Sequence, residues 1–429
     1  MADNARGVFG AQEDDAKTYW LAEGMAPGGF IREVDKVANS RGLDSLFAGI
    51  KIVDCDTHFT EPADMWTSRA PQGLKSKMPR VEHVDGVDRW FVGDRDFGYI
   101  GGNVIGADHN KLLGRLSWPN FSQINRGAYE VDARLADMDA MGVWAQITFQ
   151  NNGVTQAGSL VALGDEELAY SIIAIYNDAL AERQRASGQR LFGMAHLPYW
   201  DKQLLDKEIR RIIDLGLKGI VMPDRPERLS EGFIGRDGRV SAFWENVLQT
   251  CNDTGLALNF HLNTAMDPTS VIWDNFGFAQ RLPVGAIVTH MGCVATMSNF
   301  MASGLLDRFE DLKIGLIESG AGWVPFALEA LEHQFDEFGT NRIYELQRRP
   351  KEYWAKNFWC SFWFEDFAPK HMIEAIGADR LMFETDYPHP TSLYPGVQDK
   401  LVEVLGAHDR AVRKSILQDS ASNLYNLGL

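Results

Sequence analysis

Asp56 and His58 stand two residues apart in the run VDCDTHF. On a strand, residues i and i+2 face the same side, so a carboxylate and an imidazole can be aimed at one point. His261 closes the run LALNFHL and Asp386 closes RLMFETD. A set of two His and two Asp at strand ends suits a divalent Zn, Mn or Fe ion and is poor for thiolate-seeking metals. Such a set leaves room for a bound water with its pKa drawn toward neutrality. Glu318, after KIGLI, is read as a general acid/base or as a further ligand. His290, in VGAIVTH, is a second acid/base or ligand candidate. Glu61, in HFTEP, either caps the following segment or hydrogen-bonds a ligand histidine, while His196 and His389 read as supports.

These residues need a frame that brings distant strand ends together. Eight short apolar runs recur at 50–56, 143–149, 190–196, 217–222, 256–262, 312–318, 358–364 and 380–386. Amphipathic stretches lie between them, notably 165–186, 201–215, 241–254, 295–309, 323–338 and 399–417. This alternation predicts an α/β fold, a (β/α)8 TIM barrel whose chemistry sits at the C-terminal strand ends. An open doubly wound sheet is the alternative, but no G-x-G-x-x-G follows the first strand. A ninth apolar stretch, 284–290, falls in the connection after the fifth strand.

Residues 1–49 read as an N-terminal arm carrying one or two short helices, with Trp20, Leu21, Phe30, Ile31, Val34, Val37 and Leu43 as their apolar positions. Residues 50–429 form the barrel. A large insertion after strand 1, 59–130, punctuated by Gly and Asp between aromatic runs, predicts β-hairpins over the barrel mouth. Its Trp66, Trp90, Phe91, Phe97 and Tyr99 are candidate pocket walls, with Arg95 and Arg115 as partners for a substrate carboxylate.

At 429 residues, with 59 acidic and 42 basic side chains and a formal charge of -17, the chain would repel nucleic acid and an anionic membrane. Four scattered cysteines without a C-x-x-C pair argue against disulfides and a thiolate zinc site. The first twenty residues lack the basic and apolar regions of a signal peptide, and no stretch reads as a membrane span, so a cytoplasmic location is expected.

Taken together, VDCDTHFTEPADMW, LNFHLN, RFEDLKIGLIESGAGWVP, EYWAKNFW, FETDYPHP and SASNLYNL resemble the amidohydrolase-related group of the amidohydrolase superfamily. That group contains the aminocarboxymuconate-semialdehyde and γ-resorcylate decarboxylases. The resemblance spans about 51–427 and implies a barrel with one divalent metal on Asp56, His58, His261 and Asp386. Two positions depart from the pattern. Asp56 stands where the superfamily often has His, which favours Mn or Fe over Zn, and Glu318 stands where the decarboxylases carry a catalytic His.

Three chemistries follow. Glu318 acts on a metal-bound water in a hydrolase, or His290 restores the missing imidazole in a decarboxylase, or both join a two-metal Mn/Fe or Fe/Fe oxygenase that hydroxylates a small molecule. The leading expectation is cleavage of a C–C or C–N bond in a small organic acid at a mononuclear site. A non-catalytic barrel subunit is the contrasting class. As for partners, the expectation is a small-molecule carboxylic acid substrate, no nucleic acid, no membrane, and a homodimer or a hetero-oligomer with a related chain.

Overall fold

The computed structural model describes residues 30–32, 45–261, 272–338 and 345–429. Eight parallel strands form its centre, one overlapping each expected run: β1 (Val53–Phe59), β2 (Ala145–Gln150), β3 (Leu191–Gly193), β4 (Gly219–Val221), β5 (Ala257–His261), β6 (Ile314–Ile317), β7 (Phe358–Phe362) and β8 (Leu381–Phe383). They pair in chain order as β1–β2–β3 and β4–β5–β6–β7–β8. Single parallel bridges, Ala195 with Ile220 and Thr57 with Tyr387, join the two sheets at both edges. Strands covered on both faces read as near-continuous apolar runs, which is why the runs were legible.

A smaller apolar cluster holds alternate residues of several strands, among them Val53, Cys55, Ile147, Met194, Ile317 and Met382, packed against Leu424 and Tyr425 of the last helix (Ser420–Tyr425). The larger core lies where helices such as Glu166–Ala186 and Lys202–Asp214 cover the strands. Both of these helices start on an Asp whose carboxylate accepts a backbone N–H, Asp165 from Leu168 and Asp201 from Leu204. On β1 the register with β2 shifts between Asp54 and Thr57. Irregularities of this kind re-aim side chains. Here Val53 and Cys55 join the apolar cluster while Asp56 and His58 reach a polar centre.

Several expectations are corrected. The predicted 295–309 helix is divided: its first part ends a long helix, Phe278–Ala302, and Leu305–Arg308 is a separate short helix, while the stretch 284–290 lies inside the long helix, in the connection after β5 as expected. By length and composition Gln280–Ala302 could cross a membrane, contrary to the reading that no stretch qualifies; here it is a partly buried connection between β5 and β6. The 399–417 helix divides into Val397–Leu405, Arg410–Lys414 and a π-helical Ser415–Asp419. Of the proposed arm helices, Phe30–Arg32 is instead a strand paired with Lys111–Leu113, and the other named positions lie outside the described residues.

The insertion does contain hairpins. Arg80–Val84, Val87–Val92 and Arg95–Tyr99 form an antiparallel meander. Its first turn is Asp85–Gly86, both at positive φ (50° and 82°), the backbone a two-residue hairpin turn demands. Trp66 and Trp90 pack edge to face at 5.3 Å, fully buried, so they form a core and not a pocket wall. Arg95 is exposed over Phe97. Past the meander, the insertion is fastened to the loop after β8: Val104 N–H donates to the Pro388 carbonyl (3.1 Å), and Lys111 Nζ to Ser392.

Candidate metal centre

Donor atoms of Asp56, His58, His261 and Glu318 all lie within 4.8 Å of one another. His261 Nε2 is 3.1 Å from Asp56 Oδ1 and 3.6 Å from Glu318 Oε2, and His58 Nε2 is 3.7 Å from Asp56 Oδ1. A second group overlaps the first: His58, Asp386 and His389. His58 Nε2 stands 3.5 Å from Asp386 Oδ1, and His389 Nδ1 stands 3.0 Å from the same oxygen.

Backbone geometry helps to place these groups. Glu318 directly follows β6 and Asp386 lies three residues past β8, and both take positive φ, 52° and 57°. Non-glycine residues in that region carry about 1–3 kcal/mol of strain and cluster at functional sites. His58 is oriented by β2: its Nδ1–H donates to the Gln150 carbonyl at 2.7 Å, which leaves the Nε2 lone pair facing the centre. Asp386 Oδ2 accepts from Thr391 Oγ1 at 2.8 Å, and its N–H donates to the Asp56 carbonyl at 2.9 Å.

The electrostatics call for a cation. Burial pushes the Asp56, Glu318 and Glu384 carboxyls well above the usual range, and neighbouring carboxylates add to the rise. Burial holds His58 well below the ordinary imidazole value and brings His261 down to about 4, so both rings are neutral at neutral pH and have a lone pair to offer a cation. Asp56 Oδ2, His58 Nε2, Glu318 Oε2 and Asp386 Oδ1 are buried without a hydrogen-bond partner. Orphaned acceptors in a shared space are costly unless a positive charge fills it, so the donor set fits a divalent ion.

A model of the amidohydrolase family matches residues 53–427. The chain belongs to the amidohydrolase family. It is 26% identical over 310 residues to a γ-resorcylate decarboxylase of Polaromonas, covering 69% of this chain and 87% of that one. Among solved structures, an amidohydrolase from Mycobacterium avium subsp. paratuberculosis aligns with a TM-score of 0.67 at 18% identity, covering 88% of this chain and 99% of that one. A dihydroxybenzoic acid decarboxylase from Polaromonas, solved with bound manganese and 2-nitroresorcinol, aligns with a TM-score of 0.55 at 20% identity, over 89% and 98% of the two chains. The chain thus shares the amidohydrolase fold.

Within this amidohydrolase the expected residues are redistributed. Asp56, His58 and His261 converge, but Glu318 and not Asp386 completes their group, with Asp386 in the adjoining one. His290 belongs to neither. It lies half-way along its helix with its ring against Trp363 (5.3 Å) and Phe364 (6.2 Å), and burial lowers its pKa. Glu61 neither caps a helix nor touches a ligand histidine; it accepts from Asn151 N–H (3.2 Å) and Asn152 Nδ2 (2.7 Å), and burial pushes it up to about 7. His196 supports the centre at one remove, 2.9 Å from the side-chain oxygen of Gln150. His389 is the larger surprise, because it enters the centre itself.

Two buried acids were missed. Glu384 Oε2 accepts from the Glu318 N–H at 3.2 Å, and Asp54 accepts from Thr385 N–H (2.8 Å), Thr385 Oγ1 (2.6 Å) and Gln146 Nε2 (3.1 Å). The signal was present: Asp54 precedes Asp56 by two, and Glu384 precedes Asp386 by two, the spacing that singled out Asp56 and His58.

Proposed function

We propose that this amidohydrolase is a metal-dependent carboxy-lyase that removes the carboxylate of a small aromatic acid as CO2. The observation that carries the reading is the convergence of Asp56, His58, His261 and Glu318, with unpartnered acceptor atoms, on one buried point. The reaction class rests on the curated decarboxylase relative. The two edge bridges support closure of the eight strands into a (β/α)8 barrel, with this centre at its C-terminal mouth.

Asp56, His58, His261 and Asp386 would hold the ion, and the oxygen-rich set favours Mn2+ or Fe2+. Bound there, such an ion supplies Lewis-acid polarisation of a substrate oxygen. Glu318 carries the proton: its carboxyl is buried within the donor group beside His261, and its Oε2 has no hydrogen-bond partner. On loss of CO2 the C–C bonding pair stays on the ring carbon and takes that proton, so a carboxylate and one proton become CO2 and a C–H bond. Phe149, buried with its ring 4.4 Å from that of His261, gives the site an aromatic wall. The insertion, fastened to the loop after β8, keeps bulk water from the mouth.

The test is turnover of manganese-loaded protein with hydroxylated benzoates, 2,6-dihydroxybenzoate first, in D2O. CO2 release with one deuterium on the product ring is expected. If the protein instead hydrolyses amides and leaves carboxylates intact, the C–N reading replaces this one.

A further inference from the structure

His389 was read from the sequence as a support, and the structure gives it a different place. Its Nε2 lies 2.9 Å from Asn151 Oδ1. That atom is an oxygen by necessity, because it also accepts the Gly102 backbone N–H at 2.9 Å, while Asn151 Nδ2 donates to Thr60 Oγ1 at 2.7 Å. Nε2 of His389 therefore carries the hydrogen, and in the neutral ring Nδ1 presents a lone pair. His58 is fixed in the opposite tautomer by the Gln150 carbonyl, so its lone pair is on Nε2.

Three acceptors now face one another: His58 Nε2, Asp386 Oδ1 and His389 Nδ1, grouped within 4.8 Å. The 3.0 Å approach of Nδ1 to Oδ1 is too close for two bare acceptors, yet Asp386 Oδ1 makes no hydrogen bond. The imidazole cannot turn away. It stacks on His58 at 3.5 Å with the rings 15° apart, and the Gly102 backbone lies so close that a Cβ there would sit 2.6 Å from Cδ2 of His389.

We propose that His389 is a ligand of the divalent ion, through Nδ1, alongside Asp386. This rests on the metal-centre reading above and extends it. It assigns to His389 the third imidazole that the sequence had offered to His290, and it makes the Gly101–Gly102 backbone of the insertion a brace for a ligand.

Pulsed electron paramagnetic resonance of manganese-loaded protein labelled with 15N-histidine counts the coordinated imidazoles. Three couplings are expected in the native protein and two in His389→Gln, with manganese binding at least tenfold weaker by titration. Two couplings in the native protein overturn the proposal while leaving the metal centre standing. Failure of the native protein to bind manganese overturns both. The native count decides even where the variant does not fold.

Discussion

Nε2 of His261 lies 3.1 Å from Oδ1 of Asp56, although 205 residues separate them in the chain. In the tautomer with its proton on Nδ1, both atoms are acceptors, and a shared cation would reconcile them. Asp56→Asn removes the negative partner and keeps the shape. Manganese affinity is expected to fall more than about 100-fold, beyond the 10–100-fold typical of outer residues, with the fold retained. Metal content after dialysis, read beside far-ultraviolet circular dichroism, checks this; an unchanged metal content removes Asp56 from the ligand set.

Glu318→Gln separates holding the ion from moving the proton. Retained manganese with turnover reduced by about 10²–10⁴-fold is expected from loss of an acid/base group. His290→Gln, whose ring rests on Trp363 and Phe364 outside both donor groups, is expected to lose much less. The reverse order of effects would move the proton to His290.

Binding of the ion should show directly in stability. Manganese at 100 times its dissociation constant is expected to add about 2.7 kcal/mol, by mass action on the folded state. Asp56, Glu318 and Glu384 repel one another when ionised, so chelation should lower the melting temperature. Calorimetry with and without chelator reads the difference, and identical curves would exclude a tightly held ion.

His196 supplies a pH signature. Burial lowers its pKa from 6.5 to about 3, so between those values the unfolded chain binds a proton that the folded chain refuses. Its contribution therefore falls as pH falls from 6.5 toward 3, by about 2 kcal/mol at pH 5. Denaturant titrations of the native protein and of His196→Gln should show the gap between them narrowing in favour of the variant on acidification. A gap independent of pH would count against a buried neutral His196.

Gly102→Ala places a methyl group 2.6 Å from the His389 ring. Overpacking of this kind costs about 1–3 kcal/mol. Because the ring is held by Asn151 and His58, the strain should appear at the centre as weakened manganese binding. A stable variant with native affinity would show that the insertion does not brace the site.

The sequence by itself determined the strands and the nucleus of the site. Parallel strands buried on both faces are largely apolar, so each announced itself, and Asp56, His58 and His261 stood out as polar endings on apolar runs. The apolar stretch at 284–290 had its place in the connection after β5 but not its helical state, because a short apolar run looks the same in a strand and in a buried helix. Tertiary structure decided what spacing cannot encode. The distance between strand ends set Glu318 beside His261, His290 falls in neither donor group, and the loop after β8 folds back to stack His389 on His58. The buried Asn151, held by the insertion, fixed which nitrogen of His389 keeps its lone pair. Those relationships exist only between residues far apart in the chain, and closure of the fold creates them.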